Sequence, residues 1–331
     1  MPARRRRYRS MPTVSVVVPN YNHAPFLRQR LDSILAQTYQ DFELILLDDC
    51  STDESREILR SYASDARVRL EFNETNSGTP FKQWNKGVRL ARGEYVWIAE
   101  SDDYAESRFL ERMVQALQPE LAVAFAYCRS RCVREDGAFE GLADYYLGKL
   151  NAKRWASDFV VDGTEICREY FARTNPVPNA SAVVFRRDIY ESVGGADESL
   201  RLCGDWKLWA AMALRGRIGY IAEPLNHFRH HGASVRRQTE LAKSEVPEYL
   251  MVTRWVLDHV TVSAELLETI CEDKAQIWVP AVMSLKVPLS LKQKILRDAR
   301  AIDPHPFRRA VGPAVRTVGL KVQRHWREMV G

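Results

Sequence analysis

Phe42-Glu-Leu-Ile-Leu-Leu-Asp-Asp-Cys-Ser-Thr-Asp53 carries the first structural signal in the chain. A run of strand length, rich in aliphatic side chains, stops on two consecutive aspartates, and Ser51-Thr52-Asp53-Glu54 then offers capping groups for a helix through Tyr62. The same alternation extends to both sides. Val14 to Val18 reads as a strand ended by Pro19 and Asn20, and Pro25 to Gln37 spaces Phe26, Leu27, Leu31, Ile34 and Leu35 as one helical face. Downstream come strand Val68 to Phe72, helix Phe81 to Ala91 and strand Glu94 to Ala99, which ends on Glu100-Ser101-Asp102-Asp103. Helix Ser107 to Leu117, strands Leu121 to Tyr127 and Ala182 to Phe185, helix Asp205 to Leu214 and strand Ile218 to Ile221 follow. Continuous apolar strands alternating with amphipathic helices predict an α/β protein with a mostly parallel, Rossmann-like sheet covered on both faces. From about Leu241 the pattern is helical, over Val246 to Val260, Ala264 to Trp278, Leu291 to Ala301 and Pro313 to Met329.

Composition narrows the function classes. The chain has 331 residues, 46% hydrophobic and 27% charged, enough to bury a core and unlike a disordered or fibrous protein. No apolar run approaches the roughly 18 residues of a membrane span, and the basic start lacks the apolar core of a secretory signal. The net charge of +5 is uneven: residues 1–11 carry +5, residues 305–331 another +5, and the body is net negative. A nucleic-acid partner is therefore not expected, because its footprint would lie on the folded body. Solvated tails and peripheral contact with an anionic membrane surface both fit basic ends. Six cysteines without Cys-x-x-Cys spacing read as reduced thiols rather than a zinc site, which suits a cytoplasmic protein.

Ligands of an open parallel sheet bind beyond the carboxyl ends of its strands. Asp48-Asp49, Glu100-Ser101-Asp102-Asp103 and Asp205 fall at such ends or at helix starts. Taken singly, each has an ordinary explanation as a turn or cap. Together they point to a divalent cation, since adjacent carboxylates repel one another unless neutralised, and a cation held by few carboxylates keeps positions open for phosphate oxygens. The dinucleotide fingerprint Gly-x-Gly-x-x-Gly is absent after the first strand, which continues Pro19-Asn20-Tyr21-Asn22-His23, and no Walker-type loop is present. A sugar nucleotidyltransferase would need a Gly-rich basic loop there, which is also missing.

Eight stretches in order then resemble the family 2 glycosyltransferases: Val14 to Asn22, Ser33 to Tyr39, Phe42 to Asp53, Asn85 to Glu94, Ala99 to Asp103, Val193 to Glu198, Gly204 to Trp209 and Phe228 to Ser234. The resemblance implies the GT-A fold over residues 12–237, with a nucleotide-binding half 12–128 and an acceptor-binding half 129–237. A basic N-terminal tail 1–11 and a helical C-terminal extension 238–331 flank it. It implies inverting, metal-dependent transfer of a sugar from a UDP-, dTDP- or GDP-sugar to a saccharide or lipid-linked acceptor, in cell-surface polysaccharide synthesis. The basic ends and the helical C-terminal region fit peripheral docking of a cytoplasmic protein at the inner face of the cytoplasmic membrane. A non-catalytic nucleotide-sugar or carbohydrate-binding protein on the same scaffold is the alternative.

Residue by residue, the resemblance implies that Asp205 is the catalytic base. Pro19, Tyr21, Asn22, Asp48, Asp49, Lys82 and Ser101 would bind the nucleotide, and Asp102 would hold Mn²⁺ or Mg²⁺. Arg229 and His231 would lie at the pyrophosphate, and Asn179 and Trp206 at the acceptor. Two positions depart from the family pattern. Glu100 replaces the more usual aspartate, and Lys82-Gln-Trp-Asn85 stands where the family commonly has Ala-Arg-Asn, so that Lys82 is expected to supply the missing positive charge.

Overall fold

The computed structural model describes residues 12–118, 122–143, 151, 153–232 and 245–308. The basic start, Ser234 and the expected helix Pro313 to Met329 lie outside them. The described residues divide into two compact units, one drawn from 12–161, 177–198 and 215–230, the other from 162–176, 199–214 and 231–308.

The first unit is built on one mixed sheet. In chain order its elements are β1 (Val14–Asn20), α1 (Ala24–Leu35), β2 (Phe42–Asp48), α2 (Ser55–Ser61), β3 (Val68–Phe72), α3 (Pro80–Leu90), β4 (Tyr95–Ile98), β5 (Tyr104–Ala105) and α4 (Phe109–Ala116). They continue with β6 (Val123–Arg134), β7 (Phe139–Leu142) and β8 (Phe159–Asp162), whose last residue belongs to the second unit. The sheet order is β3-β2-β1-β4-β9-β6-β10-β5, where β9 is Val183–Arg186 and β10 is Arg217–His230. β3, β2, β1 and β4 pair in parallel, as expected from their apolar runs, and β1 and β2 are buried along their whole length. β9 runs antiparallel to both β4 and β6, so the sheet is parallel only in part. β10 extends nine residues past the expected end at Ile221, with register shifts against β6 around Pro224, and brings Arg229 and His230 into the sheet.

Val14, Leu44, Trp97, Phe109 and Phe125 are among the side chains with no exposed surface. Close approach of α3 sets the height of the ligand end. At Gly87 an added Cβ would sit 2.2 Å from Val17 Cγ1, so only glycine lets α3 settle onto β1. One turn earlier, α3 carries Gln83 and Trp84 toward the ends of β2 and β4.

The second unit is helical. It contains α5 (Gly163–Ile166), continued by a wider turn through Phe171, and α7 (Gly204–Ala213), with the short α6 (Arg187–Ser192) lying between them in sequence but in the first unit. Then come α8 (Val246–Leu257), α9 (Ala264–Met283) and α10 (Leu289–Ile302). Val246, Leu250, Trp278, Ile295 and Ala299 form the core of the last three helices. Ser263 caps α9 by accepting from Leu266 N at 3.1 Å. The helices 163–171 and 204–213, inside the expected transferase span, cluster with these C-terminal helices.

Candidate functional site

The turn after β4 is the chemical centre of the first unit. Its residues have separate fates. The Glu100 carboxylate accepts from the Trp84 indole at 2.7 Å. Asp103 is 2% exposed and accepts from Arg229 N at 2.9 Å and Asn179 Nδ2 at 2.8 Å, while the buried Ser101 Oγ lies 2.8 Å from His23 Nδ1. Asp102 remains partly exposed, with a carboxylate oxygen within 4.8 Å of a ring nitrogen of His23.

Charge repulsion in this turn is visible in its proton affinities. Burial, reinforced by the Asp102 charge and eased by the Trp84 hydrogen bond, pushes the Glu100 carboxyl up to about 8. Burial and Asp102 also raise Asp103. The counter-charge is Arg30, which has no exposed surface, donates from Nε to Glu100 O at 2.8 Å and packs 5.1 Å from the Trp97 ring centre. Burial lowers its guanidinium to about 10, against the pull of Asp103, Asp102 and Glu100.

Asp102 and His23 offer an oxygen and a nitrogen donor on adjoining turns. Ligands about 2.1 Å from a common ion stand up to roughly 4 Å apart, so a small side-chain adjustment brings both within reach of one Mg²⁺ or Mn²⁺. The residues present therefore fit the expected cation. His23 was missed in the sequence, although it directly follows the Pro19 to Asn22 turn at the end of β1.

At the end of β2 the two aspartates are largely spent on the protein itself. Asp48 has no exposed surface, pairs with Arg56 Nε at 2.7 Å and accepts from Asn20 Nδ2 at 3.1 Å and Ser51 N at 3.0 Å. Asp49 is 5% exposed and accepts from Asn73 Nδ2 at 2.7 Å, Ser77 Oγ at 2.7 Å, Ser77 N at 2.9 Å and Gln83 Nε2 at 2.9 Å. These bonds fill most of a carboxylate's lone-pair sites, so Asp49 orders the 73–83 segment. Around it, Pro19 is buried in β1 and Tyr21 is exposed. Asn22, in the left-handed region at φ 55°, donates from its backbone N to Ser51 Oγ and accepts from Thr52 N. Lys82 is exposed, and its ammonium donates to Ser77 O at 3.1 Å.

Two further expected residues of this unit are drawn into its hydrogen-bond network. Arg229, expected at the pyrophosphate, is 4% exposed and donates to the backbone carbonyls of Asp102 at 2.8 Å, Arg134 at 3.1 Å and Glu135 at 2.9 Å, and to Gln29 Oε1 at 2.6 Å. Its guanidinium fork clamps the Asp102 turn. Asn179, expected at the acceptor, is 8% exposed and locked between Asp103, Ser130 and Asn226.

The second unit holds Asp205, Trp206 and His231. Asp205 is the second residue of α7, and its carboxylate accepts from Trp206 N at 2.7 Å and Asn175 Nδ2 at 3.1 Å. Trp206, expected at the acceptor, is 3% exposed, donates to Phe171 O at 3.0 Å and packs in the core of this unit. His231 directly follows the last residue of β10 in sequence. No helix among the described residues is long and apolar enough to cross a membrane.

Residues 15–194, more than half of the chain, match Glycosyl transferase family 2. An uncharacterized glycosyltransferase, alr2836, of Nostoc sp. is 27% identical over 242 residues, 70% of this chain and 69% of that protein. The crystal structure of S. aureus TarS 1-349 in complex with UDP-GlcNAc superposes with a TM-score of 0.65 at 17% identity, covering 90% of this chain and 83% of that one. In sequence, TarS of S. aureus, a poly(ribitol-phosphate) beta-N-acetylglucosaminyltransferase, is 36% identical over 99 residues, 29% of this chain but only 17% of its own length. Mannosyltransferase PcManGT from Pyrobaculum calidifontis, in complex with GDP-Man and Mn²⁺, has a TM-score of 0.57 at 19% identity, over 97% of this chain and 84% of that one. At such identities the structures speak for the fold alone, which is the GT-A fold. The matched span and the shared architecture together place the chain in glycosyl transferase family 2, as a glycosyltransferase.

Proposed function

We propose that this glycosyltransferase moves a sugar from a nucleoside diphosphate donor to an acceptor hydroxyl with inversion at the anomeric carbon, in the building of a cell-surface polysaccharide. The observation that carries this reading is the turn Glu100 to Asp103, in which Asp103 is buried and Glu100 is hydrogen-bonded to Trp84, while Asp102 is partly exposed beside His23. The nucleoside would lie on Tyr21, Asn22 and the 73–83 segment that Asp49 orders, with Lys82 at its rim. Asp102 and His23 would hold the cation, with His231 toward the pyrophosphate. When bound, Mn²⁺ or Mg²⁺ offsets negative charge developing on the departing nucleoside diphosphate.

The chain's own groups supply the rest. A neutral hydroxyl is a weak nucleophile, and Asp205, held by Asn175 and the start of α7, accepts its proton as the new bond forms. Attack with a single base and no opposing nucleophilic carboxylate inverts the centre. The buried Arg30 keeps the acidic turn folded by opposing its charge from below. Support for the donor class comes from UDP-GlcNAc in TarS and GDP-Man in PcManGT, and for the product class from the poly(ribitol-phosphate) acceptor in the TarS name. A thermal-shift screen of UDP-, dTDP- and GDP-sugars with and without Mn²⁺ tests it, because a ligand that binds the native state raises the melting temperature by mass action. A donor that stabilises only with the cation is expected, and no stabilisation by any of them would overturn the reading.

A further inference from the structure

We propose that the C-terminal helices α8 and α9 form the frame that sets the catalytic base, with Glu248 and Lys274 as its positioning residues. The inference rests on the reading of Asp205 as that base. The contacts it is argued from lie inside the second unit.

Two chain segments meet at the Asp205 carboxylate, and each is held by one of these helices. The segment leading into α7 is held by Glu248, in the first turn of α8. Its carboxylate accepts from the backbone N–H groups of Arg201 at 2.9 Å, Leu202 at 2.9 Å and Cys203 at 2.8 Å. These are charge-assisted bonds to the residues just before Gly204 and Asp205. The second segment supplies Asn175, which donates to Asp205. Two residues earlier, Arg173 is gripped twice by α9: its guanidinium pairs with Asp273 at 2.8 Å, and its carbonyl accepts from the Lys274 ammonium. The same ammonium lies 4.9 Å from the centre of the Trp206 ring, next in sequence to the base. Thus α9 holds the segment that carries Asn175 and lies against the ring next to Asp205.

Lys274 is the informative choice. Its side chain is 3% exposed, and burial lowers its ammonium to about 8. Packing alone is served at least as well by an apolar residue of the same length, because a buried cation costs free energy that its contacts only partly return. What the cation adds is direction. It fixes a carbonyl and a ring face at once, which a methionine cannot do. A base displaced by about 1 Å from its hydroxyl loses roughly a hundredfold in rate.

The test uses the full chain and the variants Lys274→Met, Lys274→Arg, Glu248→Gln and Asp205→Asn. Hydrogen–deuterium exchange is read on peptides covering 199–207 and 170–177, with 14–48 as the internal reference. Release of nucleoside diphosphate from UDP-N-acetylglucosamine and GDP-mannose with Mn²⁺ gives kcat and KM. Lys274→Met and Glu248→Gln are expected to speed exchange in the two peptides alone. They should lower kcat roughly 10- to 100-fold with the donor KM near wild type, and Lys274→Arg should restore most of the loss. Should Lys274→Met not fold, Glu248→Gln, which keeps the side-chain shape, decides. Unchanged exchange overturns the proposal, as does wild-type kcat in both variants while Asp205→Asn is inactive. Wild-type turnover by Asp205→Asn instead overturns the base assignment, and the catalytic part of the proposal with it. If neither donor is turned over, the exchange result decides alone.

Discussion

The indole N–H of Trp84 donates to Glu100 Oε1 at 2.7 Å, so two positions where the chain departs from the family pattern are in contact with each other. Trp84 stands in the place of a cationic residue and Glu100 in that of a shorter acid. The longer carboxylate reaches α3, and the indole meets it without bringing a charge. Lys82, from which the missing positive charge was expected, is instead bonded to the carbonyl of Ser77.

This pairing leaves a pH signature. The Glu100 carboxyl is pushed up to about 8, so between the ordinary range of a free carboxyl and that value the folded protein holds a proton that the unfolded chain has released. Stability measured without divalent cation is therefore expected to fall as pH rises from about 5 to about 8, and the raised Asp103 acts in the same direction. Glu100→Gln should flatten that slope in thermal melts, and an unchanged slope would remove Glu100 as its source.

Asp102→Ala is expected to weaken Mn²⁺-dependent binding of a nucleoside diphosphate by at least about tenfold. Calorimetric titration of UDP and GDP with Mn²⁺ measures this. Equal affinities in wild type and variant would remove Asp102 as a ligand.

Asp205→Asn keeps the shape of the side chain but loses its basicity. Turnover should drop by roughly 10²- to 10⁴-fold while nucleotide and cation binding persist, because the change touches proton transfer alone. Steady-state kinetics beside the same titrations separate the two effects.

Arg229→Ala leaves the backbone carbonyls of Asp102, Arg134 and Glu135 without their donor and empties a buried site. A loss of about 3 kcal/mol in urea unfolding is expected. Because the clamp holds the Asp102 turn, cation affinity should fall with it, and an intact affinity would show that the turn stands without the clamp.

Residues 305–331 carry +5, and each Lys or Arg near an anionic surface contributes about 1 kcal/mol. The chain lacking them should no longer sediment with phosphatidylserine liposomes, whereas the full chain should. Equal sedimentation would count against membrane docking through this end.

By itself the sequence determined the parallel half of the sheet, the helices from α1 to α4 and the acids at the ends of β2 and β4. These follow from residue spacing over a dozen positions, and each element buries the face its own periodicity marks. It also supplied the ionisable side chains available to a site. Only the tertiary structure decided which polar groups are spent inside the protein. Asp48, Asn179 and Arg229 are ligand-like in sequence, yet each is buried by partners that the fold brings in, with Arg229 bonding to Asp102 across 127 positions and Asn179 to Asp103 across 76. His23 entered the site in the same way, meeting Ser101 across 78 positions. A carboxylate or guanidinium has the same chemistry in either setting; the donors and acceptors that reach it first decide whether it is left for a ligand, and for Arg229 and Asn179 those come from distant parts of the chain that no local pattern encodes.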